Sequence, residues 1–449
     1  MMKDSSIDLL LCLPTVLSCE ILFAWLFVPN LAKLDSVYCN QKKRQQLNDL
    51  FEQPELLCSL EDCPSKNIAW LLRRRIKLRD FDLRPEIPVD VATAYLREFG
   101  KLIESVSMTN DASDAVRNEA SLNCPNVTTL SLESMMDASL ETLNTFRSIE
   151  RLVFFYASIS KNAVDKGSLD LPNLRKLTIC LGRGNISNIV MFVQNCPNVT
   201  HLVLMGCELI PANTATTMLS HLTGLVAVNL SCMLIDDDAL TTIVHNCPAI
   251  AHFDLSKSTL ITDASIFSVV TKLKLKTVAL PCNYRLTNKS LEHLSHSTDT
   301  LQELHIVQNM SNGGYSNKMT QSAVRTLLRK TRNCRYTWSA SIHEGECNFH
   351  NCANATTIYI DRALTDSLLE QIAQHGKSVR ILDLYLSSKH VESQYTSAGL
   401  SAVINGCPIL EIIRIREDLN MPQLDEVIRQ HPKLFVRSFA KKYDVEKMH

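Results

Sequence analysis

Glycine is scarce in this 449-residue chain, with 12 in all, and none of them forms the Gly-rich loop that cradles a phosphate. No G-x-S-x-G elbow occurs, the histidines are scattered, and the acidic residues gather at predicted helix starts, where capping accounts for them. Asp236-Asp237-Asp238 lacks the glycine turn and distant glutamate of a calcium loop. No catalytic constellation is left, so the expectation is a binding protein rather than an enzyme, with no cofactor. Charge of one sign is missing too. Lys plus Arg (46) nearly cancels Asp plus Glu (47), which removes the bulk field that steers a protein onto nucleic acid or a membrane surface. The uncharged runs 9–19 and 21–32 are split by Glu20, hold Pro14 and Pro29, and fall short of the ~20 residues of a membrane span. Asp4 and Asp8 spoil the basic leader of a secretory signal, and no small-residue cleavage pair follows. The sequons at Asn126, Asn198 and Asn229 fall in or beside predicted strands. The expected location is cytoplasmic or nuclear.

What the chain does have is a period. Asn195-Cys196-Pro197-Asn198-Val199-x-x-Leu202-x-Leu204 returns as Leu225-x-x-Val228-x-Leu230, and again as Asn246-Cys247-Pro248-x-Ile250-x-x-Phe253-x-Leu255. The leading apolar residues stand at 199, 225 and 250, so the spacing is 26 and then 25 residues. L-x-x-L-x-L at that spacing is the leucine-rich-repeat signature. Within it a short strand turns alternate apolar residues inward. Ile235, Leu240, Ile243 and Val244 then recur at helical spacing, led by the acidic run that suits the positive end of a helix. Asn246 falls where helices favour a left-handed residue, and Pro248 stops continuation. Such a unit cannot bury its apolar face alone, so neighbours stack. The predicted fold is therefore an α/β solenoid, a curved parallel sheet with outer helices.

Leading residues follow from Leu78-x-x-Phe81-x-Leu83 through Ile103, Val127, Ile149, Leu174, Val199, Leu225, Ile250, Leu275 and Leu301. The next, Ala355, lies 54 residues beyond Leu301, which requires a degenerate repeat around Cys334 to Ser341. Ala355, Val379, Leu410 and Leu434 complete about 14 units over 77–449. Sixteen cysteines would mark a disulfide framework in a small secreted protein. Here many occupy matching repeat positions, so free buried thiols in a reducing compartment are expected. His343, Cys347, His350 and Cys352 are metal-ligand types, but their spacing matches no standard C-x-x-C pairing and Cys352 falls in the core cysteine slot, so no metal site is assigned. The basic cluster Arg73-Arg74-Arg75, Lys77 and Arg79 reads as a solvated helix end without an aromatic stripe.

Ahead of the repeats, residues 9–52 read as three short amphipathic helices, too small a core to stand alone, joined to the array by a linker and helical cap over 53–76. Leu13-Pro14-x-x-Leu17-x-x-x-Ile21-Leu22-x-x-x-Leu26, followed by Leu31-x-x-Leu34-x-x-Val37-x-Cys39, resembles an F-box. With Ile261-Thr262-Asp263 opening a helix and the Cys-Pro repeat pattern, the chain resembles the F-box/leucine-rich-repeat proteins of the cysteine-containing subtype. It departs from them in having Phe51 nearest the usual late Trp and a polar Leu34-Asp35-Ser36-Val37 segment. The resemblance implies that Leu13, Pro14, Leu17, Ile21, Leu22, Leu26, Leu34 and Val37 contact the adaptor subunit of a cullin–RING ubiquitin ligase, and that the repeats hold a protein substrate marked for degradation. The alternative is a repeat scaffold whose first helices only cap the solenoid.

The outward strand positions form the expected binding face. His201, Val203, Met205, Asn229, His252, Asp254, Glu303 and His305 make a modest centre. Tyr359, Asp361, Asp383, Tyr385, Arg414 and Arg416 supply the aromatic and charged anchors that interfaces favour, and they are the predicted substrate site.

Overall fold

The computed structural model describes residues 14, 17–18, 28–37, 41–53, 57–58, 67–109, 111–133, 143, 145–157, 171–181, 186–205, 210–230, 233–256, 258–281, 283–297, 299–309, 318–331, 334–341, 354–361, 365–384, 396–416 and 435–439. The chain divides into two compact units, Met1–Val199 and Thr200–His449. No described helix is long and apolar enough to cross a membrane.

In the first unit, helices Val28–Val37 and Gln41–Phe51 bury Leu31, Leu47 and Phe51 completely. Their polar weld is Asp35. The residue is 5% exposed, and its carboxylate accepts from Trp70 Nε1 at 3.0 Å and Arg74 Nε at 3.0 Å, both on or just beyond the helix Ile68–Arg73. Arg44 adds a bond to the Asp35 backbone carbonyl at 3.2 Å. A buried polar side chain needs such hydrogen-bond partners, and supplying them explains the polar Leu34-Asp35-Ser36-Val37 segment. Lys77 Nζ then closes the second helix by donating to the Glu52 and Gln53 carbonyls, each at 2.8 Å. Leu57–Cys58, expected as loop or helix, is a strand paired in parallel with Lys77–Leu78. Tyr95 fills the first repeat: it stacks on Phe81 at 5.1 Å and donates its hydroxyl to the Ile76 carbonyl.

The repeats of this unit supply strands β1 (Asp80–Leu83), β2 (Ser105–Thr109), β3 (Thr129–Glu133), β4 (Arg151–Ala157) and β5 (Lys176–Leu181), each parallel to the next. A two-to-one bond marks each step into a new strand. The Arg79 carbonyl accepts from Glu104 N and Ser105 N, that of Glu104 from Thr128 N and Thr129 N, and that of Thr128 from Glu150 N and Arg151 N. An asparagine ladder adds a second tie. Asn126 Nδ2 donates to the Lys101 carbonyl, Asn173 to that of Arg147 and Asn198 to that of Pro172, over 25 or 26 residues each time.

The second unit continues the same grammar with β6 (His201–Met205), β7 (Ala227–Asn229), β8 (His252–Asp254), β9 (Thr277–Pro281) and β10 (Glu303–Asn309). After these come β11 (Arg335–Ser341), β12 (Thr357–Asp361), β13 (Ile381–Leu384), β14 (Ile412–Arg416) and β15 (Phe435–Phe439), all parallel neighbours in that order. The degenerate repeat is real: β11 pairs with β10 on one side and β12 on the other, and Tyr336 stands where Leu304 and Val278 stand. Both units are leucine-rich-repeat arrays, and the leading residues Leu225, Ile250, Leu275, Leu301, Ala355 and Val379 are all buried.

Here the tie between repeats sits at the helix starts. Asp236, Thr262, Thr287, Thr320, Thr365 and Thr396 each cap a helix, their side chains accepting a backbone N–H of the first turn. The residue after the cap reaches forward. Asp237 accepts Thr262 N at 2.8 Å and Thr262 Oγ1 at 2.6 Å. Asp263 does the same with Thr287 at 2.9 and 2.7 Å and also accepts from Ser290 Oγ. Asp366 holds Thr396 at 2.7 and 2.8 Å, and Asn288 Oδ1 holds Thr320 N at 2.8 Å. A threonine hydroxyl both donates and accepts, so one side chain serves its own helix and the preceding repeat.

The helix ends correct one expectation. Asn246 is simply the last helical residue, and the chain leaves through Cys247 at φ −122°, ψ 67°, with its N–H still bonded to the Ile243 carbonyl. Cys124 and Cys407 exit in nearly the same way. The following proline already disfavours helical backbone at the cysteine, so a left-handed residue is not needed. Among the described residues the one non-glycine with positive φ is Arg75.

Replacing Asp263 with Ala tests the forward tie. The variant is expected to unfold with a loss of about 1–3 kcal/mol, because Thr287 and Ser290 lose a charged acceptor. Burial alone would raise the pKa of this carboxyl, but the bonds from Ser290 and Thr287 outweigh it and hold it below its ordinary 3.8. Its contribution is therefore full above about 3.8 and lost as pH falls through the folded value, and urea unfolding midpoints of parent and variant converge at low pH.

Candidate functional site

Two surfaces hold the residues that the sequence singles out for recognition. The first is the N-terminal helical motif. Pro14 is exposed, Leu17 is 43% exposed and Val37 is 57% exposed, while Leu34 is half-buried. Leu13, Ile21, Leu22 and Leu26 lie outside the described residues. Val37 ends the helix whose Leu31 and Asp35 face inward, so one helix carries both the anchored and the open positions.

The second surface is the open face of the sheet in the second unit. The register places Tyr359 on β12 opposite Asp383 on β13, and Asp383 opposite Arg414 on β14. These three therefore share one row, with neighbouring strands about 4.8 Å apart. Asp361 and Arg416 lie two residues further along their strands, and only their backbone is described; Tyr385 lies outside the described residues. Within the row Asp383 is already engaged, accepting from Arg414 Nη1 at 3.1 Å with both side chains about four-fifths buried. A partner meeting this row finds a half-buried tyrosine beside a closed ion pair, rather than a free acceptor and a separate cation.

The centre of the same face is arranged in two rows. His201, Ala227, His252, Thr277, Glu303 and Arg335 form one row, and Val203, Asn229, Asp254, Ala279, His305 and Thr337 form the row beside it. Two positions expected to face solvent do not. Val203 is 2% exposed and Asn229 is 6% exposed. Taller side chains on flanking strands cover short ones at a spacing of about 4.8 Å. Asn229 uses its burial, donating Nδ2 to Asp254 Oδ2 at 2.7 Å, and Ser256 N fills the other carboxylate oxygen at 2.8 Å. His252 Nδ1 meets Thr277 Oγ1 at 3.0 Å. Glu303 and Arg335 approach to 3.5 Å.

Burial pushes the His305 imidazole below its ordinary value, with Asp254 opposing. Burial also lowers His252, helped by Lys276 and opposed by Glu303. Both rings are neutral at neutral pH.

The repeat cysteines are core. Cys124, Cys196, Cys247 and Cys407 are buried free thiols, and burial pushes them up to about 12, 12, 11 and 11 respectively. Cys247 Sγ lies 3.5 Å from the Leu219 and Leu222 carbonyls, tying one helix exit to the preceding repeat. His343, Cys347, His350 and Cys352 lie outside the described residues. Among those described, no group of three or more His, Cys, Asp or Glu is placed to hold a metal ion.

No protein-family model and no curated protein matches the sequence. Among solved structures, an internalin (inlF) from Listeria monocytogenes aligns with a TM-score of 0.37 at 13% identity, over 76% of this chain and 92% of that one. The Rad7 and Elc1 complex in yeast aligns with a TM-score of 0.40 at 12% identity, over 94% of this chain and 96% of that one.

The neutral imidazoles give this face a pH signature. An unfolded histidine takes its proton near 6.5 while buried His305 resists it, so stability is full above about 6.5 and falls as pH drops below that value towards the folded one. His305→Gln is expected to flatten that decline, as read from thermal unfolding at a series of pH values between 7.5 and 5.

Proposed function

We propose that this chain is the substrate-recognition subunit of an SCF-type cullin–RING ubiquitin ligase. Its N-terminal helical motif docks on the adaptor, the adaptor joins the cullin, and the repeats hold a protein substrate. In this reading the chain is itself non-catalytic, needs no cofactor, and works in the cytoplasm or nucleus without nucleic acid or membrane.

One observation carries the reading. Pro14, Leu17 and Val37 are exposed while the same motif is anchored through Leu31, Leu47, Phe51 and the Asp35–Trp70–Arg74 weld. Apolar side chains on a rigid, anchored support suit an interface, because few rotamers and no backbone need ordering on contact. The weld also favours a second reading, a repeat scaffold whose first helices only close the array, since solenoid ends require a cap.

Co-purification separates the two. Leu17→Asp with Val37→Asp is expected to abolish retention of the adaptor subunit by the full chain while shifting stability by no more than about 0.5 kcal/mol per site, as exposed positions do. Retention of the adaptor by the double variant, or no retention by the parent, decides for the scaffold.

On the substrate side, Tyr359→Ala combined with Arg414→Ala is expected to weaken cargo capture at least tenfold by removing an aromatic anchor and opening the Asp383 pair. Quantitative cross-linking of parent and variant checks this, and equal yields remove the row from the interface.

A further inference from the structure

Charge on the helices of the second unit is unevenly spread. The helices Ala212–Leu219, Asp237–Asn246, Asp263–Lys272, Asn288–Leu294, Asp366–His375 and Ser397–Gly406 carry at most one lysine or arginine each. The helix Gln321–Lys330 carries Arg325, Arg329 and Lys330, and it has no acid at all. Its inward residues Val324 and Leu327 are buried, and Asn288 holds its start through Thr320 N at 2.8 Å. The helix is thus fixed from within, and Arg325, Arg329 and Lys330 are all exposed on its outer side.

Arg325 and Arg329 stand four residues apart, one above the other, where like charges repel and weaken a helix. Elsewhere in the chain such arginines find a carboxylate in a neighbouring repeat. Arg97 on the helix Val89–Phe99 meets Glu119 on the helix Asp114–Asn123 at 2.7 Å, and Arg380 meets Glu411 at 2.8 Å. Among the described residues no carboxylate lies within ion-pair distance of Arg325, Arg329 or Lys330. Lys289, exposed in the first turn of the adjoining helix, and Lys318, exposed just ahead of Gln321–Lys330, extend the field. Glu292 is the one acid on that adjoining helix, so the surface is locally positive on a chain whose net charge is −1.

The complementary chemistry follows from the donors. A guanidinium fork takes a carboxylate through two parallel bonds, and two forks one turn apart suit two carboxylates of one chain. Neither helix carries a phenylalanine, tyrosine or tryptophan, so the bases of a nucleic acid find no stacking platform there.

We propose that the outer face of the helix Gln321–Lys330, bordered by Lys289 and Lys318, is a docking surface for an acidic segment of a partner polypeptide. Arg325 and Arg329 take its carboxylates, and Lys330 adds to the attraction. The surface lies on the helix side of the repeats, apart from the strand face. It does not rest on the ligase reading, since a receptor and a scaffold have equal use for it.

The test uses the full chain and the fluorescence anisotropy of a labelled short peptide of glutamate and alanine, beside a counterpart with glutamine in place of glutamate. The glutamate peptide is expected to bind about tenfold more tightly and to lose that advantage at high salt. Arg325→Gln with Arg329→Gln should erase the preference. Lys101→Gln with Lys176→Gln removes two exposed cations of the first unit, changes the net charge by the same amount, and should leave the preference intact. Melting temperatures and circular dichroism show that each variant folds, and Lys289→Gln with Lys330→Gln probes the same field should the arginine variant fail. No preference in the parent overturns the proposal, as does a preference that survives the arginine substitutions or falls equally in the lysine control. Displacement of the glutamate peptide by a smaller amount of an oligothymidylate, or of an anionic lipid vesicle, also overturns it and assigns the surface to another partner. None of these outcomes bears on adaptor or substrate capture, which co-purification and cross-linking read separately.

Discussion

The carboxylate that follows three of the helix caps in the second unit, with the amide of Asn288 at a fourth, is the interaction on which the stacking there depends. A parallel strand pair alone is held by evenly spaced, slanted hydrogen bonds that a slip of two residues would reproduce. Asp237 on Thr262, Asp263 on Thr287 and Asp366 on Thr396 remove that freedom, because each ties a helix start to one named residue of the next repeat. Their position near the positive end of their own helices favours the charge they carry. With both the strand and the helix start fixed, the outward residues of adjacent strands fall into rows, and rows are what make Tyr359, Asp383 and Arg414, or Asn229 and Asp254, neighbours at all.

Much of this fold is legible in the sequence because a repeat states its own register. The leading residues Leu225, Ile250, Leu275 and Leu301 are read by spacing alone, and all are buried. Even the unmatched stretch between Leu301 and Ala355 is recovered by arithmetic, since only a strand near Cys334 to Ser341 completes the period, and β11 lies there. The forward ties are less legible. Thr262-Asp263 reads locally as a cap and an acidic first turn, and nothing in the pair says that the aspartate bonds a threonine 24 residues on. Asp35 is similar: beside Leu34 and Ser36 it reads as a polar defect, and its partners Trp70 and Arg74 stand 35 and 39 residues away.

The binding face is read least well, and the reason is geometric. Period-2 alternation assigns a side, but exposure on that side depends on what stands on the two flanking strands. Val203 is apolar and outward, yet it is covered; Asn229 is polar and outward, yet it is inside and bonded to Asp254. Arg414 and Asp383 each look like free anchors until their register brings them within 3.1 Å. Composition picks out residues that interfaces favour, while only the cross-strand neighbours decide which of them still has something to offer a partner.

The forward ties also set where the chain tolerates growth. Asp237 to Thr262 spans 25 residues and Asp263 to Thr287 spans 24, whereas Asn288 to Thr320 spans 32 and Asp366 to Thr396 spans 30. The same clasp closes over segments that differ by up to eight residues. Extra length between a strand's end and the next helix start is thus accommodated without loss of the clasp, since the cost of loop closure grows only slowly with length. That makes this one edge of the array its place for elaboration: new loops of new composition are gained there, repeat by repeat, on a scaffold that does not have to be reinvented to carry them.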